Sequence, residues 1–290
     1  MKLPTLHRVL GKFDLRVGLG HVSDQWPALL DAAEVQLPAD FPNNGWCVAA
    51  LQAAYSALTH TSTLREALVA AVRAGNDTDT VAAIAGSLAG AVYGGSAVPF
   101  DWQRRLHGWP GLRAQGLVSL AVLAIHDGQC DSEGWPVIEE LGSYARASTR
   151  VYQHPDDEGV LLAAVGALKP GVADAVVSLC RLGTSQYPLA GIAPEDHIVI
   201  RLIDKEDANL DPVAVIGDAA LAVKTLRSEG KTVLIHCVHA HCRTPLVGAA
   251  YGALITDGDI GAALDRVVHV LPSASPRPSL QDALLTEWAR

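Results

Sequence analysis

The chain has 290 residues, 49% of them hydrophobic and 18% charged, with a formal net charge of −9. That length and apolar content suit one large or two modest packed cores and speak against global disorder. The negative balance speaks against broad binding to nucleic acid or an anionic membrane, although a few backbone amides and one arginine suffice for a local anion pocket.

The start, Met1-Lys2-Leu3-Pro4, carries no secretory pattern. The longest apolar stretches, around 81–93 and 117–125, are too short to cross a bilayer. Five cysteines, Cys47, Cys130, Cys180, Cys237 and Cys242, are irregularly spaced, which predicts free thiols in a reducing cytoplasm. Residues 45–58 form an amphipathic helical run. Thr63-Leu64-Arg65-Glu66 is a capping-box pattern opening a helix over 64–74, with Gly75 to end it. A third helix over 77–93 carries Ala82, Ala83, Ala85, Gly86, Ala89 and Gly90, small residues that admit a close neighbour. Residues 95–115, rich in Gly, Pro, Trp and Arg, read as a loop. Further helices are expected over 117–126 and 136–147.

At the start of the third helix, Asp77, Asp79 and Thr80 offer two carboxylates and a hydroxyl, reasonable ligands for a hard cation. The same residues also suit a helix cap with acids in its first turn. The run Gly75-Asn76-Asp77-Thr78-Asp79-Thr80, continuing to Gly90, resembles the C-terminal metal motif of the ADP-ribosylglycohydrolases. The Asn-Gly-Trp run at 44–46 and the Val98-Pro99…Trp102 segment extend that likeness over roughly 40–110. The resemblance implies an all-helical fold, Mg²⁺ or Mn²⁺ at Asp77, Asp79 and Thr80, and an ADP-ribose-containing ligand. The family's other ligand set, a Thr-Asp-Asp cluster, is missing; Asp14, Asp24, Asp31, Glu34 and Asp40 are scattered. The region therefore reads as the latter half of such a domain.

His154-Pro155-Asp156-Asp157-Glu158-Gly159 has turn or linker composition, and a domain boundary is expected near 150. Beyond it, short β-branched runs at 173–180, 197–203 and 232–236 predict strands. Helices are expected over 211–228, with Asp211 as cap, and over 245–255, 260–269 and 280–289. Strands alternating with helices indicate an α/β layer fold. The expected architecture is thus two-part: an all-α region over 1–150, and an α/β domain over 151–290 with a central sheet flanked by helices.

The third of these strands runs into His236-Cys237-Val238-His239-Ala240-His241-Cys242-Arg243-Thr244, and a helix follows. A loop at a helix N-terminus turns successive amides inward at the positive end of the dipole, forming a phosphate cradle. Val238, His239, Ala240, His241, Cys242 and Arg243 would supply it. Those amides and Arg243 would stabilise a Cys237 thiolate, the attacking species. The Arg243 guanidinium can grip two phosphoryl oxygens at once, and the Thr244 hydroxyl is within reach of the Cys237 sulfur. A core cysteine followed by a surface arginine is the plain alternative.

The segment resembles the dual-specificity branch of the protein tyrosine phosphatases, whose signature is His-Cys, five residues, Arg, then Ser or Thr; the likeness covers roughly 155–290. It implies a phosphocysteine intermediate, no cofactor, and a phosphorylated protein or small molecule as substrate. It also implies a general-acid aspartate upstream, for which Asp204 is the first candidate and Asp207 the second. Two positions depart from the pattern. Ala240 stands where glycine is usual, which points to a positive φ or crowding. Cys242 stands where a small polar residue is common; a reversible disulfide with Cys237 and a simple space-filling role both remain open. His239 and His241 fit no common zinc spacing.

Overall fold

A computed structural model of the chain describes residues 25–129, 146–183, 186–205 and 208–288. Cys130, Asp207 and nearly all of the expected helix over 136–147 lie outside the described residues. Contacts divide the chain into two units, residues 1–98 and 99–290.

The first unit is helical: α1 (Trp26–Val35), α2 (Cys47–Thr59), α3 (Leu64–Arg73) and α4 (Thr78–Tyr93). Thr63 caps α3 as expected, its hydroxyl accepting the Glu66 N–H at 3.1 Å. The return bond shifts by one residue, from the Ser62 N–H to the Glu66 carboxylate at 2.9 Å. The core is built from alanines, among them Ala53, Ala57, Ala67, Ala71, Ala85 and Ala89, all fully buried. Small side chains bring α3 and α4 together: a Cβ on Gly86 would lie 3.2 Å from Leu68 Cδ2.

The second unit opens with α5 (Phe100–Arg105), a short hairpin of β1 (His107–Gly108) and β2 (Leu112–Arg113), and α6 (Ala114–Ile125). The stretch read as a loop over 95–115 thus contains a helix and a hairpin. Phe100 is buried in the main core of this unit, and its N–H donates to Asp218 Oδ2 at 2.8 Å. Arg104 donates to both Glu229 oxygens at 2.7 and 3.0 Å and to the Glu195 carbonyl at 2.8 Å. These bonds tie residues 99–105 to the α/β unit, so the compact units divide at 98/99, ahead of the boundary expected near 150.

Among the described residues the central sheet has five strands in the order β3-β4-β7-β5-β6. They are β3 (Val151–His154), β4 (Asp157–Ala164), β5 (Ala175–Ser178), β6 (His197–Val199) and β7 (Val233–Cys237). The supposed linker at 154–159 is the tight turn of the β3–β4 hairpin, the sheet's one antiparallel pairing; the other three pairings are parallel. Two strands were therefore hidden behind a Pro-Asp-Asp turn. The helices are α7 (Pro212–Ser228), α8 (Arg243–Thr256), α9 (Ile260–Val270) and α10 (Pro278–Glu287). Asp211 caps α7 as expected, accepting the Ala214 N–H at 2.9 Å.

Alternation along the strands sorts their side chains onto two faces. Val160, Leu162, Ala175, Val177, Val233 and Ile235 pack with the helices in the main core. Ala163, Val176 and Leu234 face the other way, against Ala167, Leu189 and Ile192 from irregular chain. Among the described residues, no helix is long and apolar enough to cross a membrane.

Candidate active site

The sequence brings Cys237 to the C-terminal end of the central strand β7, in register with Ala164 of β4. Residues 238–242 then loop round to Arg243, the first residue of α8. The loop's carbonyls are tied outward: Val238 O accepts from Val165 N at 3.2 Å and His241 O from Ser275 N at 2.6 Å. The amides of His239 to Cys242 have no protein acceptor among the described residues. That is the polarity an anion cradle needs. Ala240 adopts φ +58°, so the glycine-like position is a left-handed one that alanine occupies with its methyl buried against Ala164 and Leu271.

Arg243 is 8% exposed. Its Nη1 donates to the carbonyls of Leu179 at 2.8 Å and Leu202 at 3.1 Å, fixing the guanidinium across the ends of three segments. Its Nε is buried with no hydrogen-bond partner. Its ion-pair partner, Asp204 Oδ2, is 3.6 Å away, too far for a hydrogen bond. The Nε–Nη2 edge is the fork that suits two oxygens of a phosphoryl group. Burying an arginine N–H unpaired costs about 1–3 kcal/mol, so the site carries an unmet demand for an acceptor.

Asp204 stands beside this fork, and Arg277 Nε donates to its Oδ1 at 2.6 Å. Of the expected site residues, Arg243 and Asp204 approach within 3.6 Å, and Cys237 closes β7 at the other end of the loop that leads to Arg243. Thr244 is fully buried, and its hydroxyl donates to the Ala163 carbonyl at 3.4 Å. Cys242 is a buried thiol accepting from Arg277 N at 3.3 Å, and burial pushes it up to about 11. Cys237 and Cys180 are likewise buried and in no disulfide.

The motif did not reveal what lies beneath Cys237. His236 is fully buried, and its Nε2 lies 2.6 Å from Ser178 Oγ, which is 2.9 Å from His197 Nε2. Burial pushes His197 down to about 3 and His236 down to about 4, so both are neutral at pH 7. The Leu189 N–H donates to His197 Nδ1 at 3.1 Å, so that ring carries its proton on Nε2. His197 then donates to Ser178, and Ser178 donates to His236 Nε2. His236 is left with Nδ1–H, which lies 3.4 Å from the Cys237 carbonyl and 3.9 Å from Cys180 Sγ. Every link has one donor and one acceptor.

In the helical unit, Asn44 is the residue sequence reasoning underused. Buried to 1% exposure, it donates to the Gly75 carbonyl and accepts the Asp77 N–H, both at 2.9 Å, and so shapes the turn into α4. Asp79 is held below the usual carboxylate range by a hydrogen bond with Asp77 and then by the amides of Asp79 and Thr80. Among the described residues, no group of three or more His, Cys, Asp or Glu side chains is arranged to hold a metal. Two carboxylates and the Thr80 hydroxyl would hold a hard cation only with water or carbonyl oxygens completing its shell.

The ADP-ribosylglycohydrolase family model matches residues 5–134. The ADP-ribosylarginine hydrolase Tri1 of Pseudomonas putida (strain GB-1) is 33% identical over 82 residues, covering 28% of this chain and 22% of that protein. Tri1 of Serratia proteamaculans (strain 568) is 38% identical over 64 residues, covering 22% and 18%. The chain thus spans about a fifth of the length of the curated relatives it matches. Among solved structures, a mouse dual specificity phosphatase crystallised with zinc tungstate aligns at TM-score 0.40 and 16% identity, covering 50% of this chain and 90% of that one. Human DUSP28 aligns at TM-score 0.39 and 17% identity, covering 46% and 89%.

Proposed function

We propose that the α/β unit of this chain, which follows a region resembling the ADP-ribosylglycohydrolases, is a cysteine-dependent phosphomonoesterase. The observation that carries this reading is the orphaned, buried Nε of Arg243 beside a loop of free amides at the end of the Cys237 strand. Such a site suits an anion with several oxygens, such as a phosphoryl group.

In the proposed cycle the Cys237 thiolate attacks phosphorus, a sulfur–phosphorus bond forms and the phosphorus–oxygen bond to the leaving group breaks. Asp204 gives its proton to the departing oxygen. Water, deprotonated by Asp204, then attacks the phosphocysteine; phosphate leaves and the thiolate returns. Arg243 and the loop amides hold the three non-bridging oxygens throughout. Thr244 exchanges its long bond to Ala163 for one to the Cys237 sulfur as that sulfur leaves.

The deciding experiment is hydrolysis of p-nitrophenyl phosphate in EDTA. Wild type is expected to turn over and Cys237→Ser to be inactive. Asp204→Asn is expected to slow turnover about 10²–10⁴-fold and to lose the limb of the pH profile that the general acid controls. An active Cys237→Ser would end the proposal.

The family match over 5–134 favours a second reading, in which the helical region engages an ADP-ribosyl group. Pairing the two within one chain suggests a phosphorylated ADP-ribose, such as ADP-ribose 1″-phosphate, as substrate. Mg²⁺-dependent release of ADP-ribose from a modified arginine, abolished by EDTA, would make the helical region the enzyme instead.

A further inference from the structure

A cavity of about 330 Å³ adjoins the phosphate loop, lined by Arg146, Ser148, Arg150, Tyr152, His239, His241 and Ser273 over a floor of Ala164 and Ala240. Three consecutive loop residues line it, and its floor residue Ala164 pairs in register with Cys237. Ala240 is three residues from Cys237, so their Cα atoms lie within about 11 Å of one another.

The chemistry of the lining is one-sided. Among the described residues it contains two arginines, two histidines, three hydroxyls and no carboxylate, in a chain with 31 acidic against 22 basic residues. Arg104, Arg227, Arg266 and Arg277 of the same unit each pair with an Asp or Glu. Among the described residues, the Arg146 and Arg150 side chains have no such partner. The His239 and His241 rings stack at 5.5 Å and 30°, placing two imidazoles together on the loop's outer side. The backbone at Arg150 is fixed by its N–H donating to Ser148 Oγ at 3.2 Å. Guanidinium groups without acidic partners, ringed by hydroxyl and imidazole donors, suit a second anion. The volume lies at the small end of ligand sites, about 300–1,000 Å³.

We infer that this cavity is a second-anion subsite, and that the substrate is a small phosphomonoester whose leaving group carries another phosphate or a diphosphate. The inference rests on the phosphatase reading above and narrows its substrate class. The scissile phosphate occupies the loop from Cys237 to Arg243, and the second anion lies between Arg146, Arg150 and the histidine pair.

The test compares adenosine 3′,5′-bisphosphate with adenosine 5′-monophosphate on the full chain, with p-nitrophenyl phosphate as the reference. Wild type should favour the bisphosphate in kcat/KM by about tenfold or more. The Arg146→Ala/Arg150→Ala double variant should lose that preference and hold p-nitrophenyl phosphate turnover within twofold. Equal kcat/KM for the two nucleotides, or a preference that survives in the double variant, overturns the subsite. A binding arm separates this failure from that of the phosphatase reading. Cys237→Ser protein should bind the bisphosphate more tightly than the monophosphate by titration calorimetry, and the arginine substitutions should erase the difference, whether or not wild type proves a phosphatase. Equal binding overturns the subsite on its own.

Discussion

Ala240 holds a left-handed conformation with its methyl in a buried cluster, and two opposing costs meet there. Glycine would relieve roughly 1–2 kcal/mol of backbone strain and would give up about 0.8 kcal/mol of buried methyl together with some unfolded-state entropy. Ala240→Gly is therefore expected to change the urea midpoint little and to keep activity, whereas Ala240→Val, β-branched at positive φ, should unfold the loop. The buried histidines set a pH dependence. Unfolded, His197 and His236 take up protons near 6.5; folded, they resist until about 3 and about 4. Their contribution is fully present above 6.5 and is lost as pH falls. Each should cost about 1.4 kcal/mol per pH unit between roughly 6 and 5. Denaturant titrations across that window check this, because Asp157 and Glu229, held down at about 2 when folded, start to protonate in the unfolded chain mainly below it. Ser178→Ala would leave a buried donor and a buried acceptor facing each other's gap, at about 1–3 kcal/mol each. Cys237, Arg243 and Asp204 were legible because they share one local motif and its family spacing. Ser178 and His197 were not, because their link to His236 joins residues 58 and 19 positions apart.

The elements were legible where period and caps agree. Thr63 and Asp211 announced α3 and α7, and the apolar run before Cys237 announced β7. The β3–β4 hairpin escaped because its turn is rich in Pro and Asp, and because β4 begins with two acids before its apolar residues appear. The first of those acids has a structural use. Asp157 takes two bonds from Arg227, at 2.9 and 3.0 Å, and one from the Tyr251 hydroxyl at 2.6 Å, joining β4 to α7 and α8. The guanidinium lies so close over Gly159 that a Cβ there would overlap Arg227 Cζ. Gly159→Ala should therefore displace Arg227 and mimic Arg227→Ala, each lowering stability by about 1–3 kcal/mol in thermal unfolding. If Gly159→Ala were neutral, Arg227 would have an equally good alternative position.

For the whole molecule, the division at 98/99 makes a prediction about fragments. Residues 99–290 should fold and hydrolyse p-nitrophenyl phosphate, while residues 151–290 should be weaker by the burial of Phe100, about 1.5–3 kcal/mol, and by the Arg104 bonds. Circular dichroism melts of the two fragments decide it, and equal melts would return the boundary to 150. Composition could not locate this division, since it follows from contacts between Phe100 or Arg104 and residues far along the chain. The strand order has a consequence in time. β7 lies between β4 and β5, pairing Val233 with Val160 and with Ala175. Its partners come early in the sequence and it comes late, so a long segment must be threaded past before it can enter. Such non-local parallel pairing is slow. In a refolding experiment the far-ultraviolet helical signal should return first, and a nucleophile competent for turnover last. A nascent or damaged chain would then have no reactive cradle until its sheet is closed.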